Sequence, residues 1–156
     1  MSIATSVDRY LSRAGVPYDL IPHERTSNSS QSAQAAHVSG NQLAKCVMLQ
    51  DERGYVMAVL PASHRLDVDA IDEQLGRSLA IASEDDLAGV FRDCEPGAMP
   101  PLGKAYGVEA VVDEDLLQAD DVYFEAGDHL ALVHVSGLDF LKLMGDAPLV
   151  SISRPH

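Results

Sequence analysis

One lysine is the clearest candidate for polar chemistry in the chain. Lys45 lies in the stretch L-A-K-C-V-M-L, a mostly apolar run typical of a β-strand. Because side chains alternate across a strand, Lys45 shares one face with Val47 and Leu49, and Cys46 lies on the other face. An ammonium group on an apolar face either extends past the end of the sheet into solvent or points into a pocket. The residues alone leave both interpretations open.

A second candidate is a loop rich in proline and glycine, E-P-G-A-M-P-P-L-G, over Glu95 to Gly103. Prolines restrict φ, and glycines let a backbone approach a ligand closely. Such a loop is stiff, and its N–H groups at Gly97, Ala98 and Met99 can point at an anion or at a developing oxyanion. The alternative is a rigid connection that ends one helix and leads to the next strand.

The cysteines and histidines add no second catalytic pattern. Cys46 has no evident partner base, and acidic neighbours of Cys94 would raise the pKa of that thiol, so we interpret both cysteines as structural. The six histidines show no metal-ligand spacing, and His129 and His134 are predicted on opposite faces of one strand. We therefore expect no metal. With no Walker loop, G-x-S-x-G or G-x-G-x-x-G motif, we expect no cofactor.

The charge of the chain limits its partners. Its 156 residues include 11 Lys and Arg against 24 Asp and Glu, a formal net charge of −13. Binding to a phosphate backbone depends on Lys and Arg contacts, so DNA is not an expected partner, and any RNA must be held by a few local cations. An apolar fraction of 46% indicates a globular protein. No membrane-spanning run and no signal peptide are visible, so we expect a cytoplasmic protein without a membrane partner.

The elements that must position these residues alternate between helices and strands. Apolar periodicity, capping residues and glycine stops predict helices over Ser2–Ala14, Val68–Leu75, Ser83 to about Phe91, Asp113–Gln118 and Ser136–Met144. Short apolar runs predict strands over Pro17–Ile21, Ala44–Gln50, Tyr55–Leu60, Val108–Val112, Val122–Glu125, Leu130–Val135 and Leu149–Ile152. A polar loop from Arg25 to Gln34 is expected to run into a short helix that ends near Gly40.

This pattern predicts an α+β fold. Two hairpins, one around Asp51–Gly54 and one around Ala126–Asp128, favour a mixed sheet, open or curled, over a doubly wound parallel sheet. The length and the absence of a second linker predict a single domain over residues 1–156.

The order of the motifs resembles the YbaK family, also called the prolyl-tRNA-synthetase-associated editing domain. The resemblance begins with Pro22-His23, the polar loop and L-A-K-C-V-M-L, in which Lys45 matches the strongly functional lysine of the family. Gly97–Gly103 is similar to the family's Gly-x-x-x-Pro-x-Gly loop. The strand Val122–Gly127 and a helix with Asp139 near its start follow in the family's order, so that the resemblance spans nearly the whole chain.

This resemblance implies an aminoacyl-tRNA deacylase that edits in trans. Members of the family hydrolyse the ester that joins a wrong amino acid to a tRNA, typically a tRNA mischarged by prolyl-tRNA synthetase with Ala, Cys or Ser. The implied fold is a mixed, curled β-sheet with flanking helices. The implied roles are that Lys45 orients the substrate and that backbone N–H groups at Gly97 and Ala98 stabilise the oxyanion. Aminoacyl-tRNA, and prolyl-tRNA synthetase as a helper, are the implied partners.

Other residues fall around this predicted site. The candidates for substrate binding are Tyr18, Thr26, Met99, Pro100, Pro101, Gly103, Glu125, Gly127 and His129. The charge of Glu125 suits a contact with the α-amino group of the substrate, and His129 is either a pocket or RNA-facing residue or, as we expect, a plain surface histidine. The alternative function is a catalytically idle module that binds aminoacyl-RNA or regulates a partner through the same groove. The intact lysine and loop favour the enzyme.

Overall fold

Five helices and ten strands alternate along the part of the chain that the structure describes. The computed structural model describes residues 3–26, 29–95 and 97–156. The elements are α1 (Thr5–Ala14), β1 (Asp19–Pro22), α2 (Ser29–Ala35), β2 (Ala44–Asp51), β3 (Gly54–Pro61), β4 (His64–Leu66), α3 (Val68–Leu75), β5 (Ala80–Ile81), α4 (Glu84–Ala88), β6 (Glu109–Asp113), β7 (Asp121–Glu125), β8 (Ala131–Ser136), α5 (Gly137–Met144), β9 (Leu149–Val150) and β10 (Ser153–Pro155). Short 3-10 helices cover Gly103–Tyr106 and Glu114–Gln118.

The largest sheet is built on the predicted hairpin. Strands β2 and β3 pair antiparallel, with Asp51 opposite Gly54 at the turn and Lys45 opposite Leu60 near the other end. Strand β5 pairs with β2 antiparallel, while β6 pairs with β3 and β9 with β6 in parallel. The order β5-β2-β3-β6-β9 is therefore mixed, and the predicted α+β class is confirmed.

The remaining strands form two smaller sheets. Strands β1, β8 and β7 make an antiparallel three-stranded sheet, which includes the second predicted hairpin, and β4 pairs with β10 in a two-stranded ribbon. A parallel bridge between Leu43 and Tyr123 joins the three-stranded sheet to the residue just before β2. Tyr123 N–H also donates to the Gln42 carbonyl at 2.9 Å. The end of β2 that carries Lys45 is thus next to β7.

The main core lies between the largest sheet, the three-stranded sheet and the helices α1 and α5. Phe124 of β7 and Phe140 of α5 are both fully buried, with ring centroids 6.3 Å apart. Leu11 of α1 belongs to the same cluster. Burying each such side chain contributes about 1.5–3 kcal/mol, so this packing fixes the ends of the strands that carry the candidate site. No described helix has the length and apolar character to cross a membrane.

Three predicted helix caps are confirmed. The side chains of Asp67, Ser83 and Ser136 accept hydrogen bonds from the N–H groups three residues later, at 3.1, 3.2 and 3.1 Å. Gly76, the predicted end of α3, has a left-handed φ of +64°. In each of these three helices a local side-chain hydrogen bond satisfies one N–H group of the first turn, which explains why the sequence alone marks these ends.

Several predicted bounds differ from the structure. Helix α4 ends at Ala88 rather than near Phe91, and α2 begins inside the predicted polar loop and ends at Ala35, well short of Gly40. The strands β4, β5 and β10 were not predicted. Strands of two or three residues are too short to show a periodic pattern, and they exist only because a partner strand satisfies their backbone.

Candidate functional site

Lys45 lies near the end of β2 that is closest to β7. Its side chain is half-buried, and Nζ donates to the Ala62 carbonyl at 3.4 Å. Burial lowers the pKa of Lys45, because removal from water disfavours the ammonium. Among the described residues, no carboxylate lies within 4.0 Å of Nζ, so the side chain is a local cation without a counter-ion.

The Gly-Pro loop is attached to β2 and to the β7–β8 turn. The Cys46 thiol donates to the Met99 carbonyl at 3.5 Å. The Glu95 N–H donates to the Gly127 carbonyl at 2.7 Å. Gly97 has a φ of +79°, a left-handed conformation that favours glycine. These contacts bring the loop to the residue next to Lys45.

The structure gives several loop residues a packing role. Ala98 is fully buried, and its N–H donates to the Glu95 carbonyl at 3.1 Å within the turn, so this amide is not a free oxyanion donor here. Pro100 and Pro101 are buried. A Cβ at Gly103 would lie 2.5 Å from the Val108 carbonyl oxygen, which makes glycine necessary for the close approach of the loop to the chain before β6. Of the predicted loop residues, Gly97 and Met99 line a cavity.

This cavity has a volume of about 340 Å³. Apolar side chains from β2, β5, α4 and the segment after it line most of its wall, with two residues of the Gly97–Gly103 motif, and Glu95 before it, at one side: Cys46, Val47, Met48, Ile81, Ala82, Leu87, Ala88, Phe91, Arg92, Cys94, Glu95, Gly97 and Met99. Lys45 does not line it, although Cys46, the next residue in β2, does. The structure thus joins the loop to β2 next to Lys45, while the ammonium itself is bonded to the Ala62 carbonyl.

A second polar group lies at the end of β7. Glu125 is only 2% exposed, and neither of its carboxylate oxygens accepts a hydrogen bond from a described residue within 3.5 Å. Burial raises the pKa of Glu125, while the Ser32 hydroxyl, His129 and His23 lower it. The Ser32 hydroxyl is also 2.6 Å from that of Thr26. The fold therefore gathers Thr26, Glu125 and His129, three of the predicted site residues.

The position of His129 corrects two expectations. It lies in the turn before β8 with a φ of +60°, and it is only 4% exposed, so it is neither a surface histidine nor on the same strand as His134. His134 is in β8, stacked on Tyr123 with ring centroids 4.7 Å apart. Burial acts to lower the pKa of His134, but hydrogen bonds to Asp121 and Asp19 outweigh it and raise the pKa. These contacts with Tyr123, Asp121 and Asp19 give His134 a structural role in the three-stranded sheet.

Two more predicted residues are explained by packing. Gly127 has a φ of +113°, and a Cβ there would lie 2.9 Å from the Cβ of Ala4 and 3.5 Å from Cys94 Sγ. The Tyr18 hydroxyl donates to Asp8 at 3.1 Å on α1, and Tyr18 does not line the cavity. Gly127 therefore allows a close turn beside the site, while Tyr18 is held at α1.

Both cysteines are free thiols that line the cavity. Burial raises the pKa of Cys46 to about 12. Burial also raises the pKa of Cys94 to about 12, with Asp93 as a smaller cause, so desolvation rather than the acidic neighbours dominates. Neither thiol is a thiolate at neutral pH, which argues against a nucleophilic role.

One group of possible metal ligands exists among the described residues. Atoms of His64, Asp113 and Asp115 lie within 4.8 Å of one another. Asp113 already accepts hydrogen bonds from the Ile152 N–H at 3.1 Å and the Ser153 hydroxyl at 2.6 Å. These bonds give Asp113 a structural role, because they attach the C-terminal segment to the end of β6.

One polar contact at the cavity was not predicted from the sequence. Arg25 forms an ion pair with Glu95, with Nη2 2.6 Å from Oε1, and Glu95 lines the cavity. The pair joins the segment after β1 to the loop, 70 positions apart in sequence. The available signal was an arginine at the start of the polar loop in a strongly acidic chain, next to the motif Pro22-His23.

Comparisons with known proteins place this fold in a family. A search of curated proteins found no match. The structure is similar to that of a candidate trans-editing enzyme for prolyl tRNA synthetase, with a TM-score of 0.84 and 23% identity over 97% of this chain and 96% of that chain. The hypothetical protein APE2540 has a TM-score of 0.83 at 23% identity, over 96% of this chain and 99% of its own. A candidate signal transduction protein from Marinobacter aquaeolei VT8 has a TM-score of 0.77 at 21% identity, over 97% of this chain and 31% of its own.

These structural likenesses, all below 25% identity, show the fold. The sequence match is to a family model described as the aminoacyl-tRNA editing domain, which covers residues 23–143 and includes Lys45, the loop and Glu125. Because this match covers well over half of the chain, the protein belongs to the aminoacyl-tRNA editing domain family.

Proposed function

We propose that the protein is an aminoacyl-tRNA deacylase that acts in trans on tRNA(Pro) carrying Ala, Cys or Ser. Membership of the editing-domain family supports aminoacyl-tRNA editing in general. The observation that carries the specific proposal is Lys45, a half-buried ammonium with no carboxylate within 4.0 Å among the described residues, next in sequence to Cys46, which lines a cavity of about 340 Å³. Such a cation is suited to an anionic substrate end.

The proposed reaction is hydrolysis of the ester. Water, or water relayed by a ribose hydroxyl of the substrate, attacks the ester carbonyl carbon and gives a tetrahedral oxyanion. Collapse of this intermediate breaks the bond between the acyl carbon and the ribose oxygen, which takes a proton and leaves as a hydroxyl. An aminoacyl ester is activated, so positioning and oxyanion stabilisation are sufficient without a protein nucleophile.

Lys45 is proposed to hold the terminal phosphate rather than the amino-acid side chain, since it adjoins Cys46 in β2 but does not line the cavity. The N–H of Gly97 is proposed as the oxyanion donor. Ala98 supports it by fixing the turn through its bond to the Glu95 carbonyl, and serves as a second donor only if that bond opens. Preorganised backbone donors of this kind contribute about 3–4 kcal/mol to transition-state stabilisation.

The cavity is proposed to receive the amino-acid side chain. Met48, Leu87, Phe91 and Met99 make its wall mostly apolar. An apolar wall favours Ala and Cys but rejects the added hydroxyl of Ser only weakly, by about a hundredfold at most. We therefore expect Ala-tRNA and Cys-tRNA to be hydrolysed faster than Ser-tRNA.

Glu125 is proposed to accept the α-ammonium group of the substrate. Neither of its buried carboxylate oxygens accepts a hydrogen bond within 3.5 Å among the described residues, and the Ser32 hydroxyl and two histidines offset its burial only in part, so that its pKa stays raised. An incoming ammonium would supply hydrogen-bond donors and a further opposite charge. This contact would restrict the substrate to aminoacyl esters.

A synthetase is the proposed helper in the cytoplasm, where tRNA is charged. The net charge of −13 opposes strong binding of tRNA by the protein alone. Prolyl-tRNA synthetase, which releases mischarged tRNA(Pro), would raise its local concentration near the deacylase.

The test is deacylation of Ala-, Cys-, Ser- and Pro-tRNA by the wild type, Lys45→Ala and Lys142→Ala. Lys142 is an exposed lysine on α5 and serves as the matched control. Hydrolysis of at least one mischarged species is expected, fastest for Ala-tRNA or Cys-tRNA, with a loss of about a hundredfold in Lys45→Ala and none in Lys142→Ala. Equal activity of Lys45→Ala would contradict the role of Lys45. No hydrolysis of any species, even with prolyl-tRNA synthetase present, would reject the deacylase in favour of an idle binding module.

A further inference from the structure

We infer that Arg25 is an RNA-phosphate-binding residue of the site. In the free protein Arg25 forms an ion pair with Glu95, and this ion pair must break when RNA binds. This inference rests on the proposed function, because it assigns the contact that would hold the RNA strand leading to the terminal ribose. It commits to a single-stranded RNA phosphate as the ligand group.

The position of Arg25 supports this assignment. Its guanidinium bonds Glu95 Oε1 at 2.6 Å, and Glu95 lines the same cavity wall as Gly97 and Met99. The cation therefore lies at the rim of the cavity, next to the loop that would carry the oxyanion donor. A planar guanidinium binds a phosphate through two parallel hydrogen bonds, as it binds a carboxylate, so one group can replace the other.

Two carboxylates of the protein itself, those of Glu95 and Asp128, act on the Arg25 guanidinium. The carboxylates of Glu95 and, more weakly, Asp128 raise the pKa of Arg25. The guanidinium side chain remains 61% exposed and that of Glu95 40% exposed, so a ligand has access to both. Exposed ion pairs of this kind are weak, and a phosphate group can compete with the carboxylate.

The other oxygen of Glu95 favours this exchange. Oε2 is buried and has no hydrogen-bond donor within 3.5 Å among the described residues. The paired position thus leaves one carboxylate oxygen without solvent or donor, which is costly. The backbone of Glu95 is fixed by its N–H bond to Gly127, so the side chain can turn away while the loop stays in place. Because of this exchange, only ligands that can displace the Glu95 carboxylate would bind to Arg25.

The test measures binding of an uncharged, fluorescently labelled tRNA(Pro) transcript to the full-length protein over a salt series from 50 to 500 mM. Arg25→Gln is expected to weaken binding about tenfold at 50 mM salt and to reduce the slope of log K against log salt by about 0.7. Arg25→Lys should restore most of the slope. Arg53→Gln removes an exposed arginine in the β2–β3 turn, beyond the end of β2 that lies about 20 Å along the strand from Lys45, and is the control for net charge.

The competing role of Glu95 is tested separately. Glu95→Gln is expected to strengthen binding about two- to fivefold, compared with no change in Glu52→Gln, an exposed glutamate in the same turn as Arg53. In the Arg25→Gln background this gain should disappear. A gain that persists there would show simple repulsion between Glu95 and RNA, and would overturn the exchange.

The outcomes separate this inference from the proposed function. Unchanged binding and salt slope in Arg25→Gln, or no measurable wild-type binding at 50 mM salt, would overturn the inference even if Lys45-dependent deacylation is found. Conversely, the expected binding changes without hydrolysis of any aminoacyl-tRNA would support Arg25 as an RNA contact and reject the deacylase.

Discussion

Glu125 is a buried acid whose burial is only partly offset by the Ser32 hydroxyl, His129 and His23. It is 2% exposed, and burial raises its pKa above the ordinary value of 4.5. The native protein therefore holds this proton more tightly than the unfolded chain does. The contribution of Glu125 to the free energy of unfolding must then fall as the pH rises from about 4.5 through the raised pKa. A residue kept at such a cost is suited to binding a cation rather than to supporting the fold.

Replacing Glu125 by Gln is expected to raise Tm at pH 7.5 and to leave it nearly unchanged at pH 4.5. Each unit by which the native pKa is raised corresponds to about 1.4 kcal/mol, and each kcal/mol to about 2–4 °C in Tm for a chain of this size. Thermal unfolding of the wild type and the variant at both pH values measures this, with Glu52→Gln as an exposed control. A lower Tm for Glu125→Gln at pH 7.5 would mean that the carboxylate supports the fold.

At the scale of elements, the Gly-Pro loop is held by packing at its end and by backbone hydrogen bonds near its start. Gly103 allows the close approach to the Val108 carbonyl, and the N–H of Val108 in turn donates to the Gly103 carbonyl at 2.9 Å. Gly97, nearer the start, needs its left-handed φ. The two glycines of the motif thus have different roles, the first at the cavity and the second in the approach to β6.

Gly103→Ala is expected to destabilise the protein by about 1–3 kcal/mol, because its Cβ would lie 2.5 Å from a backbone oxygen that cannot easily move. Gly89→Ala is the matched control, since that glycine has a helical φ of −72° and its nearest neighbour would be 3.7 Å away. Denaturant unfolding of both variants gives the comparison. Equal stability of the two variants would show that the loop adapts and that the motif glycine is not a packing residue.

At the scale of the whole molecule, the negative net charge means that salt should affect the stability of the fold and the binding of RNA in opposite directions. With 24 acidic and 11 basic residues, the folded chain repels itself. Salt screens this repulsion and should stabilise the fold, but it should weaken binding of RNA at Lys45 and Arg25.

We therefore expect Tm to rise between 10 and 300 mM NaCl while the affinity for tRNA falls over the same range. Calorimetry measures the change in Tm, and binding measured in the same buffers gives the change in affinity for tRNA. A fall in Tm with salt would show that ion pairs such as the buried Arg77–Asp51 contact, in which Arg77 lowers the pKa of Asp51 to about 2, outweigh the general repulsion.

The sequence by itself determined the longer elements and, within a residue or two, most of their ends. Apolar periodicity, the caps at Asp67, Ser83 and Ser136, and the hairpin turns are properties of neighbouring residues, so they can be read without the fold. The order of motifs around Lys45 and Gly97 also identified the family, which the match over residues 23–143 confirmed. The roles of Lys45 and Gly97 remain predictions.

Only the tertiary structure decided what lies beside what at the site. The burial of His129, the use of the Ala98 N–H within its turn, and the pair between Arg25 and Glu95 join or enclose groups by folding. The short strands β4, β5 and β10 likewise depend on partners far along the chain. Burial and long-range pairing come from the packing of elements against one another, and local sequence patterns carry little information about that packing.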